Sequence, residues 1–100
     1  MEYKINEIYT FKLSSGEELV AKVLQIEGNE LIVHDPVSVA PGPQGLGLVP
    51  SMFTADPKAE TRINTNNVTI SALTDASIRA SYIKATTGLT VPEAKKLILG

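Results

Sequence analysis

Apolar and polar positions alternate from Tyr9 to Leu13. Tyr9, Phe11 and Leu13 fall on one parity, and Thr10 and Lys12 on the other, which is the two-residue period of a half-buried strand. Ser14-Ser15-Gly16-Glu17 breaks the alternation as a turn, where glycine supplies positive φ without steric cost. Beyond it, Leu19, Ala21 and Val23 share one face while Val20, Leu24 and Ile26 share the other. A strand apolar on both faces is central, or bends from one side of a barrel to the other. Lys22 interrupts the second row and marks where that face meets solvent. Glu27-Gly28-Asn29-Glu30 is the second turn, and Leu31–Val39 is a third strand, again apolar on both parities. Pro36 limits its pairing and predicts a bend or bulge at Asp35-Pro36. Tyr9–Val39 therefore reads as a three-strand antiparallel meander, preceded by a lead-in, Met1–Glu7, that forms one helical turn or an edge extension.

After the turn cluster Pro41-Gly42-Pro43-Gln44-Gly45, residues Leu46, Leu48 and Pro50 alternate with Gly47, Val49 and Ser51, predicting a fourth strand that reaches Phe53. Asp56–Glu60 is a polar loop. Thr61–Ile63 and Val68–Leu73 read as strand pieces around Asn64-Thr65-Asn66-Asn67, the pattern of a hairpin with an Asn-rich turn. The period then changes. Ala76–Thr87 lacks Gly and Pro and spaces Ile78, Tyr82 and Ala85 or Thr86 by three to four. It predicts a helix, capped by Asp75 or Ser77 and ended by Gly88. Thr90-Val91-Pro92-Glu93 fits a capping box that opens a second short helix through Leu99. Leu97, Ile98 and Leu99 must then cover either the barrel or a neighbouring subunit.

Composition narrows the classes. One hundred residues make one domain, divided into a barrel at about 7–73 and a helical tail at about 75–99. Apolar residues at 43% and charged residues at 20% are too apolar for disorder. The absence of cysteine removes disulfides and any thiolate ligand or nucleophile. The net charge of −2 argues against bulk capture of a polyanion, which takes several Lys or Arg on phosphates. Between Lys22 and Lys58 there is neither, so any RNA contact must rest on a local site. The amino terminus has no apolar core of a signal peptide. The uncharged run Pro36–Ala55 is broken by Pro41, Pro43 and Pro50 and by three glycines, so it is not a membrane helix.

Leu13-x-x-Gly16-x-x-x-x-Ala21-x-Val23 resembles the first signature of Sm-like proteins, with Ala21 at the second glycine. Ile63-Asn64-Thr65-Asn66-Asn67-Val68-Thr69-Ile70 resembles the second signature, with Asn64 at its Arg and Thr65 at its Gly. The likeness covers Tyr9–Leu73. The chain as a whole is also similar to small Sm-like proteins of tailed phages of marine bacteria, through Asp35-Pro36, Ser38–Gly42, Phe53–Asp56 and Ser81–Gly88. The resemblance implies a mainly β fold: a strongly bent, five-stranded antiparallel barrel with short C-terminal helical segments. It implies a homo-oligomeric ring in which the fourth strand of one subunit pairs with the fifth of the next, removing the open edges. It also implies single-stranded RNA held near the pore by the turns after the second and fourth strands. On this chain those positions are Asn29, Asn64, Thr65, Asn66 and Asn67. The location implied is the cytoplasm of a bacterial host, with no cofactor, no metal and no membrane.

Two readings of function follow: a non-enzymatic RNA-binding ring module, or a structural or assembly ring that does not bind RNA. The turn Glu27–Glu30 favours the second, because two Glu per subunit around a pore repel phosphate. Asn and Thr are also ordinary turn residues, so Asn64–Asn67 fits a plain turn as well as a base-reading loop. His34 beside Asp35 resembles an acid–base pair, but a lone His with no nucleophile reads as a strand-surface or interface residue. The scattered Tyr3, Tyr9, Phe11, Phe53 and Tyr82 read as core ahead of stacking platforms. Lys58 and Arg62 read as a solvated rim, Lys95-Lys96 as a complement to a helix dipole, and Gly42–Gly47 matches no phosphate loop.

Overall fold

A computed structural model describes residues 2–56 and 58–87. Their elements, in order, are β1 (Ile8–Leu13), β2 (Glu18–Glu27), β3 (Glu30–Gly42), β4 (Gly45–Pro50), β5 (Thr61–Asn64), a 3₁₀ turn (Thr65–Asn67), β6 (Val68–Leu73) and α1 (Ala76–Thr86). All strand pairs are antiparallel. The sheet runs β4-β3-β2-β1-β6, with β5 also paired to β3.

The meander is present as expected, with Gly16 at φ 93° and Gly28 at φ 60° in its two turns. The third strand bends where Pro36 requires it. Val20 pairs with Val37 and Lys22 with His34, so β3 spends an extra residue at Asp35-Pro36, and Asp35 sits at φ 49°. The lead-in extends the β2 ladder: Asn6 N–H donates to the Val23 carbonyl and Val23 N–H to that of Glu7.

Two expectations are corrected. Thr61–Ile63 and Val68–Leu73 do not form a hairpin. The first pairs with β3 (Leu31 opposite Ile63) and the second with β1 (Phe11 opposite Ser71). The Asn-rich segment between them is a 3₁₀ turn that carries the chain from one side of the sheet to the other. The strands number six, not the five that the resemblance implies, and the fourth stops at Pro50 short of Phe53, which is 62% exposed in the following loop. The chain rejoins β3 as β5. Thus β2 lies along one edge of β3, and β4 and β5 lie in tandem along the other. No strand ladder joins β6 to β4 or β5 among the described residues, so the hydrogen-bonded sheet is not closed.

Two apolar clusters explain why β2 and β3 are apolar on both faces. Register places Tyr9 opposite Ala21 and Phe11 opposite Leu19. These join Val23, Leu31 and Val33 in the main core, closed by Tyr3, Leu13, Ile63 and Val68. Tyr3 meets Tyr9 edge-on at 5.0 Å. The other parity gives Ile8, Val20 and Val37, which α1 covers with Tyr82 and Ile78. Each large side chain so buried contributes about 1.5–3 kcal/mol. Asp75, the N-cap, accepts from the Ser77 and Ile78 amides. Gly88 and the second helix expected at 90–99 lie outside the described residues. Among the described residues no helix is long and apolar enough to cross a membrane.

Candidate nucleic-acid interface

The five residues singled out in the sequence meet at one end of the sheet. Asn29 lies in the β2–β3 turn, and Asn64, Thr65, Asn66 and Asn67 form the junction from β5 through the 3₁₀ turn. Strand pairing brings them together, since Glu30 faces Asn64 across β3 and β5. Thr65 fastens the two turns by donating its amide (2.8 Å) and its Oγ1 hydroxyl (2.9 Å) to the Asn29 carbonyl. The Asn67 carbonyl accepts from the Ser14 amide at 2.7 Å, which ties in the β1–β2 turn.

The asparagines divide by role. Asn64 Oδ1 accepts the Asn66 amide at 2.9 Å and caps the 3₁₀ turn, so that oxygen is committed to the fold. The side chains of Asn29, Asn66 and Asn67 are exposed and make no hydrogen bond to the described residues. Each amide offers two N–H donors and one carbonyl acceptor. That is the pattern that reads base edges, on a backbone held by the hydrogen bonds above.

The electrostatics of the turn differ from those expected of bare Glu27 and Glu30. Arg62 Nη1 donates to Glu27 Oε1 at 3.0 Å and to Glu30 Oε1 at 3.1 Å. The hydrogen bond and charge of Glu27, and then those of Glu30, raise the pKa of the guanidinium above its ordinary value. Two carboxylates thus share one cation, leaving the turn with a single excess negative charge instead of two. Arg62 is no free rim cation. Arg62 and Asn64 share a parity on β5, and both are exposed while Ile63 between them packs on the core.

Beside the junction lies an open groove of about 940 Å³, lined among others by Tyr3, Ile26, Gly28, Leu31, Thr65 and Val68. The Tyr3 hydroxyl donates to Ser71 Oγ at 3.0 Å along its wall. Of the five aromatic residues, Tyr9, Phe11 and Tyr82 are buried, Tyr3 is half-buried and Phe53 is exposed. His34 Nδ1 and Asp35 Oδ2 do pair, at 2.7 Å, on the β3 bulge rather than at the junction. Among the described residues no group of three or more His, Asp or Glu side chains could hold a metal ion. Neither the protein-family models nor the curated proteins contain a match to this chain.

Proposed function

We propose that this chain is a non-enzymatic Sm-like ring protein that holds single-stranded RNA at the junction of its β2–β3 turn with the β5–β6 connection. One observation carries the reading: three exposed asparagine amides, Asn29, Asn66 and Asn67, with no hydrogen-bond partner among the described residues, on two turns locked together through Thr65 and the Asn29 carbonyl. Amides carried on a backbone held in this way recognise unstacked bases without first paying to order a loop. The ring reading is supported by open edges. β6 pairs only with β1, and β4 and β5 pair only with β3 among the described residues. Both β4 (GLGLVP) and β6 (VTISAL) lack the charged side chains that normally blunt an edge strand. The fourth-row edge of one subunit meeting β6 of the next would close the sheet across copies. In this reading the protein works in the cytoplasm of a bacterial host of a tailed phage.

A second reading, a ring that only builds structure, is favoured by the acidic excess at Glu27, Arg62 and Glu30. Titration with short oligouridylate and oligoadenylate at low salt separates the two. RNA binding predicts saturable affinity that Asn66→Ala and Asn67→Ala each weaken by roughly 2- to 12-fold, the worth of a net hydrogen bond of about 0.5–1.5 kcal/mol. Absence of binding at micromolar protein would leave the structural ring.

A further inference from the structure

We infer that the Glu27–Arg62–Glu30 clamp sets what the junction accepts: it withholds the guanidinium from phosphate, so the site takes the base and not the backbone of its ligand. The inference rests on the RNA reading above and specifies which part of the nucleotide is held. Arg62 lies on the strand that runs into the junction, opposite Ile32, with Asn64 two residues further on and opposite Glu30. A guanidinium so placed is the natural partner for a strand whose bases reach Asn66 and Asn67, because Arg pairs readily with phosphate. Instead one Nη1 donates to both carboxylates. The two glutamates come from either end of the turn that also carries Asn29, so the clamp's carboxylates and one of the three reading amides share a turn. Both carboxylates hold Nη1 alone, so a phosphate would meet Arg62 at Nη2 or Nε and there sit beside two carboxylates, where like charges repel. Asparagine amides carry no charge and feel no such opposition to a neutral base.

The clamp therefore acts as a specificity determinant, and its removal has a defined readout. Wild-type affinity for a short oligouridylate should be nearly independent of salt. It should also survive replacement of the phosphodiesters by uncharged methylphosphonates. The double variant Glu27→Gln/Glu30→Gln frees Arg62 and should bind the phosphodiester more tightly at low salt. Its log K against log salt should steepen by about 0.7 for each phosphate gained, about fivefold in affinity per tenfold drop in salt. Adding Arg62→Gln should return the slope to that of wild type. Since all three side chains are exposed, the variants should keep the wild-type circular dichroism and urea midpoint, which shows that binding changes are not unfolding.

The outcomes separate this inference from the RNA reading. If all forms bind with one slope, or the gain survives Arg62→Gln, the clamp has no such role while RNA binding stands. If wild type binds neither oligonucleotide but the double variant gains binding through Arg62, the glutamates do mask Arg62 but no base is taken, and both the inference and the RNA reading fall. If no form binds, both fall.

Discussion

The Tyr82 hydroxyl donates to the His34 carbonyl at 2.7 Å while accepting the Lys22 amide at 3.2 Å. Lys22 and His34 are register partners across β2 and β3, beside the bulge that Asp35-Pro36 forces. The helix therefore repairs the ladder at the point where the strand bends, and its ring completes the second apolar cluster with Ile8, Val20 and Val37. Tyr82→Phe keeps the ring and leaves both backbone groups without this partner. It should cost about 1–3 kcal/mol, read as a lower urea midpoint with an unchanged m-value. Tyr82→Ala should cost more, about 3–5 kcal/mol, because it also opens a cavity.

The same residue predicts an alkaline limit. Burial, the largest cause, pushes the Tyr82 phenol well above its ordinary 10.0. A proton held more tightly in the folded state contributes stability that is complete below the unfolded pKa and is lost as pH rises through and beyond it. Wild-type stability should fall above about pH 10, and Tyr82→Phe should flatten that fall. An unchanged alkaline limb in the variant would place the titrating group elsewhere.

At the acid end the helix cap gives the opposite sign. Hydrogen bonds from the Ser77 side chain, then from the Ile78 and Ser77 amides, hold Asp75 below its ordinary 3.8. Its contribution is present above that value and disappears as pH falls through the lower folded one. Asp75→Asn, which can still cap, should lower the thermal midpoint less than Asp75→Ala does at neutral pH. Both variants should lose the wild-type dependence on pH below about 4. The cap is fully exposed, so solvent screening keeps the effect small.

Assembly is tested by mass. Light scattering should give a homo-oligomer, and Ile70→Lys on the exposed face of β6 should shift it toward smaller species, because a lysine blunts an edge strand. Proline at a β6 position whose amide faces away from β1 should dissociate it, since proline removes the donor. A wild-type monomer at working concentration would contradict edge pairing.

Much of the fold was legible from local pattern. The alternation Tyr9-Phe11, the glycine turns at 16 and 28, the bend at Pro36 and the helix after Asp75 each depend on neighbours in the chain. What escaped depends on distant partners. Asn64–Asn67 has the composition of a hairpin turn, and only the pairing of Ile63 with Leu31 and Ser71 with Phe11 shows that the flanking strands part. The loop between the fourth strand and Thr61–Ile63 was legible from its polarity, but not that both pieces pair with the same edge of β3. The five candidate residues came from a likeness to known signatures, and what the structure adds is the tie of Asn29 to Thr65 through one carbonyl. The pairing of Arg62 with Glu27 and Glu30 spans 35 and 32 residues, beyond any local signal. The two-sided apolar pattern of β2 and β3 read as a central or bent strand, and the cover of its second face, Tyr82 on α1, required the three-dimensional arrangement.

The most direct measurement is an amide NMR titration of the isotopically labelled protein with oligouridylate, following backbone and asparagine side-chain signals. The largest shifts should fall on Asn29, Thr65, Asn66 and Asn67, including the side-chain amides of the three asparagines, with Tyr82 and the α1 signals unmoved. Shifts confined to other surfaces, or none at saturating RNA, would contradict the assignment of this junction as the RNA site.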